Sequence, residues 1–383
     1  MSHILMHRKK PVAEIQIAKG TSTIIDTIDL TDPKHLPIGV TVKRDGKPDI
    51  EDLNDWFGGR SIPASRQNIK AALQSMGIAS TDKLLVMCYG LSLSDQYWVN
   101  PKESPLKWED INFFENDFSE DVGDALFGNA VQGKKIDFVS PNNTSDGILQ
   151  KKWQIINNKR CLIKGGSDPF YQQPFNETMT TIVMNRLNIP CVDYSVIFED
   201  KRPYSICENF ITSETELVSA FNMHNTRLFL RPKEELYEHY LECCEELGIA
   251  DARLCLDKML VADYLTMNDD RHLNNFGAVR NAESLKWLGF APNFDNGSSF
   301  CNKELTEDIL LPGIHKSQPF RQIHDEQIKL VKDFSWLDLS ALDGIEDDFL
   351  KILESSAQIN EQRRDSICKA FKNRITDLER FIK

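Results

Sequence analysis

Positive charge is in short supply in this chain: 45 Lys and Arg stand against 58 Asp and Glu, a formal net charge of −13. That balance argues against broad binding to nucleic acid or to an anionic membrane surface, both of which need a positive face. No direct nucleic-acid contact and no membrane attachment are expected, although DNA contact through a partner protein stays open. Long apolar runs are missing as well; no window approaches the ~18 consecutive apolar residues of a membrane span. Met1–Lys10 has no apolar stretch after its charges and does not read as a secretory signal. The nine cysteines include no C-x-x-C pair, so a disulfide framework is not indicated and the expected compartment is the reducing cytoplasm. Cys243 and Cys244 are neighbours on an expected helix and face different directions, which argues against a metal pair. Internal repeats and low-complexity tracts are absent too.

What remains is 383 residues, 41% of them hydrophobic, enough for two domains or for one two-lobed enzyme with an extra N-terminal module. The pattern divides the chain into residues 1–130, 131–210 and 211–383. In the first part, a small mixed α/β module, Val12–Ile17 alternates like a strand and Thr21–Leu30 is a second β-rich run. Trp56-Phe57 and Ile62-Pro63 are the residues that pack it down. Glu109–Asp124 holds seven acidic residues and no basic one, interleaved with Phe113, Phe114 and Phe118. It reads as a solvated acidic face anchored by aromatics, with an acidic docking site as the alternative.

From Lys134 the pattern changes. Ile136–Val139 reads as a strand, Ser140–Gly147 as a loop of turn formers, and Ile148–Ile156 with Arg160–Lys164 as a hairpin turning at Asn157-Asn158. Pro174 opens a helix with one apolar face, made by Phe175, Met179, Ile182, Val183 and Leu187. Val192–Phe198 and Tyr204–Cys207 make another hairpin. Beyond Phe210 the chain reads as mostly helical, closing on an amphipathic helix over 360–383 striped by Ile367, Phe371, Ile375, Leu378 and Phe381. Strands with one inserted helix, followed by a helical half, predict an α+β fold with a β-rich lobe and a helical lobe.

The chemistry is concentrated in Asn268-Asp269-Asp270-Arg271-His272-Leu273-Asn274-Asn275-Phe276 and in Phe294-Asp295-Asn296-Gly297. An Asp, an Asn five residues on and a second Asp downstream form the set that phosphoryl transfer from ATP uses. One carboxylate orients the attacking hydroxyl; the amide oxygen and the other carboxylate hold Mg²⁺, which prefers hard oxygen ligands. Asp270 is the candidate catalytic residue, and Asn275 and Asp295 are the candidate metal ligands. A plain turn is the competing reading, since Asn, Asp and Gly are turn residues. His272 reads as a loop-shaping residue, and Arg271 as either a brace or a phosphate contact. Lys164, at the end of an expected strand, is placed to neutralise nucleotide phosphates, with Glu177 in the first turn of the next helix as its partner. Thr144, Ser145, Asp146 and Gly147 could cover the phosphates with backbone N–H groups. Thr144 and Ser145 are also candidate autophosphorylation sites, where a phosphate could eject the loop. Glu208-Asn209-Phe210 lies where a hinge would bind adenine. Residues 296–315 would face the substrate.

These segments resemble the HipA-like bacterial serine/threonine kinases, whose fold is related to that of the phosphatidylinositol kinases. The similar features are Leu162-Ile163-Lys164-Gly165-Gly166, Asn176-Glu177, Glu208–Phe210, Asp270–Gly277 and Phe294–Gly297, within residues 130–335. The resemblance implies a two-lobed protein-kinase-like fold, ATP and Mg²⁺ as cofactors, and a protein Ser/Thr substrate. It implies Lys164 on the ATP phosphate, Asp270 as catalytic residue, Asn275 and Asp295 on Mg²⁺, and a nucleotide loop at Thr144-Ser145 that is autophosphorylated. Some members of the family are toxins neutralised by a small DNA-binding antitoxin, so a small antitoxin-like regulator is a partner to look for; a stand-alone kinase fits equally well. The Asp-Arg-His order leaves a lipid or small-molecule kinase open, and a catalytically silent nucleotide-binding scaffold is the reading from a different class.

Overall fold

The computed structural model describes residues 1–129 and 135–382; the expected boundary at 130/131, and Lys134, lie outside the described residues. The fold is mixed α/β, with antiparallel sheets and packed helices. The first sheet is built from β1 (Ser2–His7), β2 (Lys10–Ile17), β3 (Ile24–Leu30) and β4 (Tyr97–Pro101), in the order β3-β2-β1-β4. Leu5, Val12, Ile15, Ile17 and Val99 pack against Leu53 and Phe57 of helix Ile50–Gly58. Sequence reasoning missed β1 for a physical reason. Its inward-facing residues are His3, Leu5 and His7, and two histidines on that face hide the period-2 signal.

A buried polar cluster ties this sheet to Glu216 and Arg280, beyond Phe210. His7 Nε2 donates to Glu216 at 2.8 Å and His7 Nδ1 meets His35 Nδ1 at 2.7 Å. Arg280 donates to the other Glu216 oxygen at 2.6 Å and to the Tyr97 hydroxyl at 3.0 Å.

The second sheet comprises β5 (Lys151–Ile156), β6 (Lys159–Lys164), β7 (Ser195–Glu199) and β8 (Arg202–Glu208), in the order β5-β6-β8-β7. The β5–β6 turn is Asn157-Asn158 as expected, both residues left-handed at φ 50° and 64°, the geometry that suits a two-residue hairpin. The expected strand at Ile136–Val139 does not form. Ile136 and Phe138 instead wedge against Ile69, Ala72 and Val122 of the N-terminal helices, and side chains serve the backbone in place of a ladder: Asn143 donates to the Phe138 carbonyl and Val139 N–H to Asp137. The next strand starts at Lys151 rather than Ile148, because the Ile148 carbonyl is taken by Gln67 N–H at 2.9 Å.

Helix Gln173–Arg186 buries Phe175, Met179 and Val183 in the main core, with Ile182 partly buried beside them. The half beyond Phe210 is less purely helical than expected. It contains a third sheet, β9 (Thr215–Ser219), β10 (Gly277–Asn281) and β11 (Trp287–Phe290), in the order β11-β10-β9. β9 and β10 are separated by far in sequence, so no local hairpin signal announces them. Gly277 is required there: a Cβ would lie 2.1 Å from the Val218 carbonyl oxygen. Helix Ala252–Thr266 runs through the core, and helix Glu361–Ile382 packs its stripe on it, with Ile367, Phe371 and Leu378 buried and Ile375 and Phe381 partly so. In the acidic stretch, Phe113 is buried and Phe114 and Phe118 pack into the same cluster. Among the described residues no helix is long and apolar enough to cross a membrane.

Candidate active site

Helix Ala252–Thr266 stops at Met267, which turns left-handed at φ 55° and releases the 268–276 loop. That loop lies beside the 294–300 loop: Asp269 N–H donates to the Ser298 carbonyl at 3.0 Å and Phe300 N–H to the Thr266 carbonyl at 2.7 Å. Arg271 is the hub between them. It is fully buried and grips Asp263 with two parallel bonds, Nε to Oδ2 at 2.9 Å and Nη2 to Oδ1 at 2.8 Å. Its Nη1 donates to the Asn275 carbonyl at 2.8 Å and the Phe294 carbonyl at 2.7 Å, and Nη2 also reaches Asn296. Arg271 is therefore a brace rather than a phosphate contact. His272 shapes the loop, its Nδ1 accepting from Asn274 N–H at 3.2 Å.

The brace sets two donor groups on one cavity. Asn275 donates its amide N–H to the Asp270 carbonyl at 2.8 Å, which turns its amide oxygen the other way. Asp295 is left-handed at φ 56°, and one of its oxygens takes Lys164 Nζ at 2.6 Å. Lys164 also pairs with Glu177, both buried, and the second Glu177 oxygen accepts Asn296 N–H at 2.8 Å. Glu177 lies in the second turn of a helix starting at Gln173, not the first as expected, so the helix dipole does not account for it. Burial alone would lower the pKa of Lys164, but Asp295 and then Glu177 hold it above its ordinary value. Burial would raise Asp295, but Lys164 and Lys151 hold it well below the carboxylate range. Asp270 is shifted upward, chiefly by burial and further by Asp295, with His272 opposing. Its Oδ1 accepts from Gln318 at 3.1 Å.

All the residues expected at the site line one cavity of about 800 Å³: Lys164, Glu177, Asp270, Asn275 and Asp295, the 144–147 loop and the 208–210 connector. The cavity has two chemical ends. Near the connector, Leu162, Val192, Cys207, Phe210 and Phe294 pack as an apolar cluster. Asn209 anchors that connector by donating to the Leu93 carbonyl at 3.0 Å. At the other end stand Lys164 and Lys151, directly opposite each other on β6 and β5. Lys151 was not singled out from sequence, although its strand position across from Lys164 was the available signal. Burial pushes its pKa down to about 8, with Asp295 opposing and Lys164 adding to the fall. The N-terminal module also lines the cavity through Ser65, Gln67 and Ser94, which no motif announced. In the loop, Thr144 donates to the Leu91 carbonyl at 2.8 Å, and Ser145 is buried with its hydroxyl bonded to Arg66 at 2.8 Å.

No protein-family model matches the sequence, and no curated protein matches it. Solved structures do. The HipA chain of the Shewanella oneidensis MR-1 toxin–antitoxin system with HipB and operator DNA is similar at TM-score 0.58 and 12% identity, covering 99% of this chain and 97% of that one. The Helicobacter pylori proinflammatory kinase CtkA is similar at TM-score 0.47 and 17% identity, covering 61% of this chain and 92% of that one. The fold of this chain is thus the one seen in HipA along nearly its whole length.

Proposed function

We propose that this chain is an ATP- and Mg²⁺-dependent serine/threonine protein kinase of HipA-like type. In this reading residues 131–210 form the β-rich lobe and 211–383 the helical lobe of a two-lobed kinase, with residues 1–130 packed on it as an extra module. The observation that carries the reading is the convergence of Lys164, Asp270, Asn275 and Asp295 on a single cavity with one apolar and one cationic end. A nucleoside triphosphate has the same two ends.

The residues present fit the cofactors. The apolar cluster beside Glu208-Asn209-Phe210 offers a surface for a base, and the connector's backbone can bind its edge. The Asn275 amide oxygen and the Asp295 carboxylate are hard donors, and one or two protein oxygens plus phosphate and water suit Mg²⁺. Bound there, Mg²⁺ neutralises charge on the phosphate oxygens. Lys164 and Lys151 meet the phosphates themselves, and an anion between them relieves their mutual repulsion. Asp270, steadied by Gln318, orients the substrate hydroxyl with its carboxylate. As the hydroxyl oxygen bonds to the γ-phosphorus and the bond from that phosphorus to the β–γ bridging oxygen breaks, the hydroxyl proton passes to Asp270. Its burial-raised pKa makes it a better acceptor. Thr144 and Ser145 are the self-substrates of this reading, in the loop over the phosphates. A small antitoxin-like regulator belongs to it as partner, as HipB accompanies HipA in the neighbour structure.

The test is incubation of the purified chain with Mg²⁺-ATP beside Asp270→Ala, read by intact-mass and peptide mass spectrometry. Phosphate that appears on the wild type and vanishes in the variant supports the reading. A wild type that binds ATP and gains no phosphate, on itself or on a protein substrate, overturns it in favour of a small-molecule or lipid kinase or a silent scaffold.

A further inference from the structure

Arg66 belongs to the N-terminal module, yet its guanidinium is given over to the loop at the cavity's cationic end. Its Nη1 donates to Ser145 Oγ at 2.8 Å, Nη2 donates to the Ser145 carbonyl, and Nε donates to the Gly147 carbonyl at 2.9 Å. The side chain is 3% exposed. Among the described residues no carboxylate stands within ion-pair distance of it. Burial pushes its pKa down to about 10, with Asp146 the charged group that opposes. A buried cation without an ion-pair partner is costly unless its hydrogen bonds are complete, and here those bonds all run to one short segment.

The neighbouring bonds run the same way. Gln67 N–H holds the Ile148 carbonyl at 2.9 Å, and Thr144 holds the Leu91 carbonyl at 2.8 Å. Residues 144–148 are thus fastened from outside, by the N-terminal module. On its other side Gly147 lies against Lys151, so closely that a Cβ at this φ 98° position would come within 2.6 Å of Lys151 Nζ. Gly147 is therefore held between Arg66 and a lysine that lines the cavity.

We propose that Arg66 is a positioning residue for nucleotide phosphate: it latches the 144–148 loop over the cationic end of the cavity, so that the N-terminal module sets the affinity for the phosphate part of the nucleotide. This rests on the phosphotransfer reading of the cavity. Arg66 does not touch the nucleotide; it acts through the backbone of Ser145 and Gly147. The latch consequently discriminates between ligands. Adenosine, which uses the apolar end, is insensitive to it, and ATP is sensitive.

The experiment compares wild type with Arg66→Ala, Arg66→Lys and Ser145→Ala. Mg²⁺-ATP and adenosine binding are measured by calorimetry, and hydrogen–deuterium exchange is followed in the ligand-free proteins on peptides covering 144–149. Loss of the charged bonds is expected to weaken ATP binding by at least about tenfold while adenosine binding stays within about twofold. Arg66→Lys, which keeps the charge and part of the bonding, falls between, and Ser145→Ala, which removes one acceptor, loses about threefold. Exchange in 144–149 rises in Arg66→Ala, with no rise in peptides from helix Ala252–Thr266. Equal losses for ATP and adenosine, or unchanged exchange in 144–149, overturn the latch. If Arg66→Ala fails to fold, Ser145→Ala and Arg66→Lys decide by the same ATP-to-adenosine ratio. If the wild type binds neither ligand, the phosphotransfer reading falls, and with it the role in phosphate binding; the exchange data then show whether the loop is latched at all.

Discussion

The Arg271–Asp263 pair should behave as one unit, and the structure says how much it is worth. Both side chains are at most 1% exposed, and the pair is bidentate. Removing one partner of such a pair leaves a buried charge without compensation, which costs about 3–5 kcal/mol. Arg271→Ala also strips the Asn275 and Phe294 carbonyls of donors at 2.8 and 2.7 Å, which keeps it at the upper end of that range. Asp263→Ala orphans the guanidinium and a bond from Asn268 at 2.9 Å. The double variant removes both charges together. It should cost well under the sum, with a coupling energy of about 2–3 kcal/mol. Urea unfolding followed by tryptophan fluorescence and circular dichroism measures all four corners of the cycle. Because the brace spaces Asn275 from Asp295, activity should fall about 100-fold or more even in variants that remain folded, as displacements near 1 Å do at reacting centres. Single-variant losses below about 1 kcal/mol, or strictly additive losses, would refute the view that Arg271 braces the two loops.

Other expectations follow from the same contacts. Lys164→Met removes the partner of both Glu177 and Asp295, so it should abolish phosphate transfer and weaken ATP binding more than adenosine binding, as paired titrations of the two ligands will show. Lys151, with its pKa pushed down to about 8, should take up about half a proton when ATP binds near pH 8; calorimetry in buffers of different ionisation enthalpy detects it, and Lys151→Met should remove it. His324 is buried, its Nε2 has no partner among the described residues, and burial followed by Arg374 lowers its pKa from 6.5 to about 3. The sign is that of a histidine kept neutral by folding: stability is full above pH 6.5 and is lost as pH falls from 6.5 toward 3. At pH 5 the loss from this group is about 2 kcal/mol, and His324→Gln should flatten the stability profile by that amount relative to wild type.

The sequence was informative about which residues the fold gathers. Asp270, Asn275 and Asp295 stood out by residue type and spacing, and the chain folds them onto one cavity. The β5–β6 hairpin was readable because Asn157-Asn158 carries its turn in two residues. What escaped was non-local. β9 and its partner β10 are separated in sequence by the intervening helices. β1 hides its alternation behind His3 and His7. Ile136–Val139 has the composition of a strand, but its apolar residues Ile136 and Phe138 pack against the N-terminal helices instead. Arg66 and Lys151 escaped because an isolated Arg in a loop, or a Lys beside another Lys, acquires meaning only from what the fold brings opposite it.

The most direct test of the central claim is a comparison of wild type with Asp270→Asn for two quantities: the dissociation constant of Mg²⁺-ATP and the single-turnover rate of γ-phosphate transfer. The isosteric amide keeps the Gln318 contact and removes the proton acceptor. Binding within about threefold of wild type, with transfer slowed by about 10²–10⁴-fold, is the predicted result. Transfer at the wild-type rate in Asp270→Asn would contradict the assignment of Asp270, and with it the kinase mechanism built on this cavity.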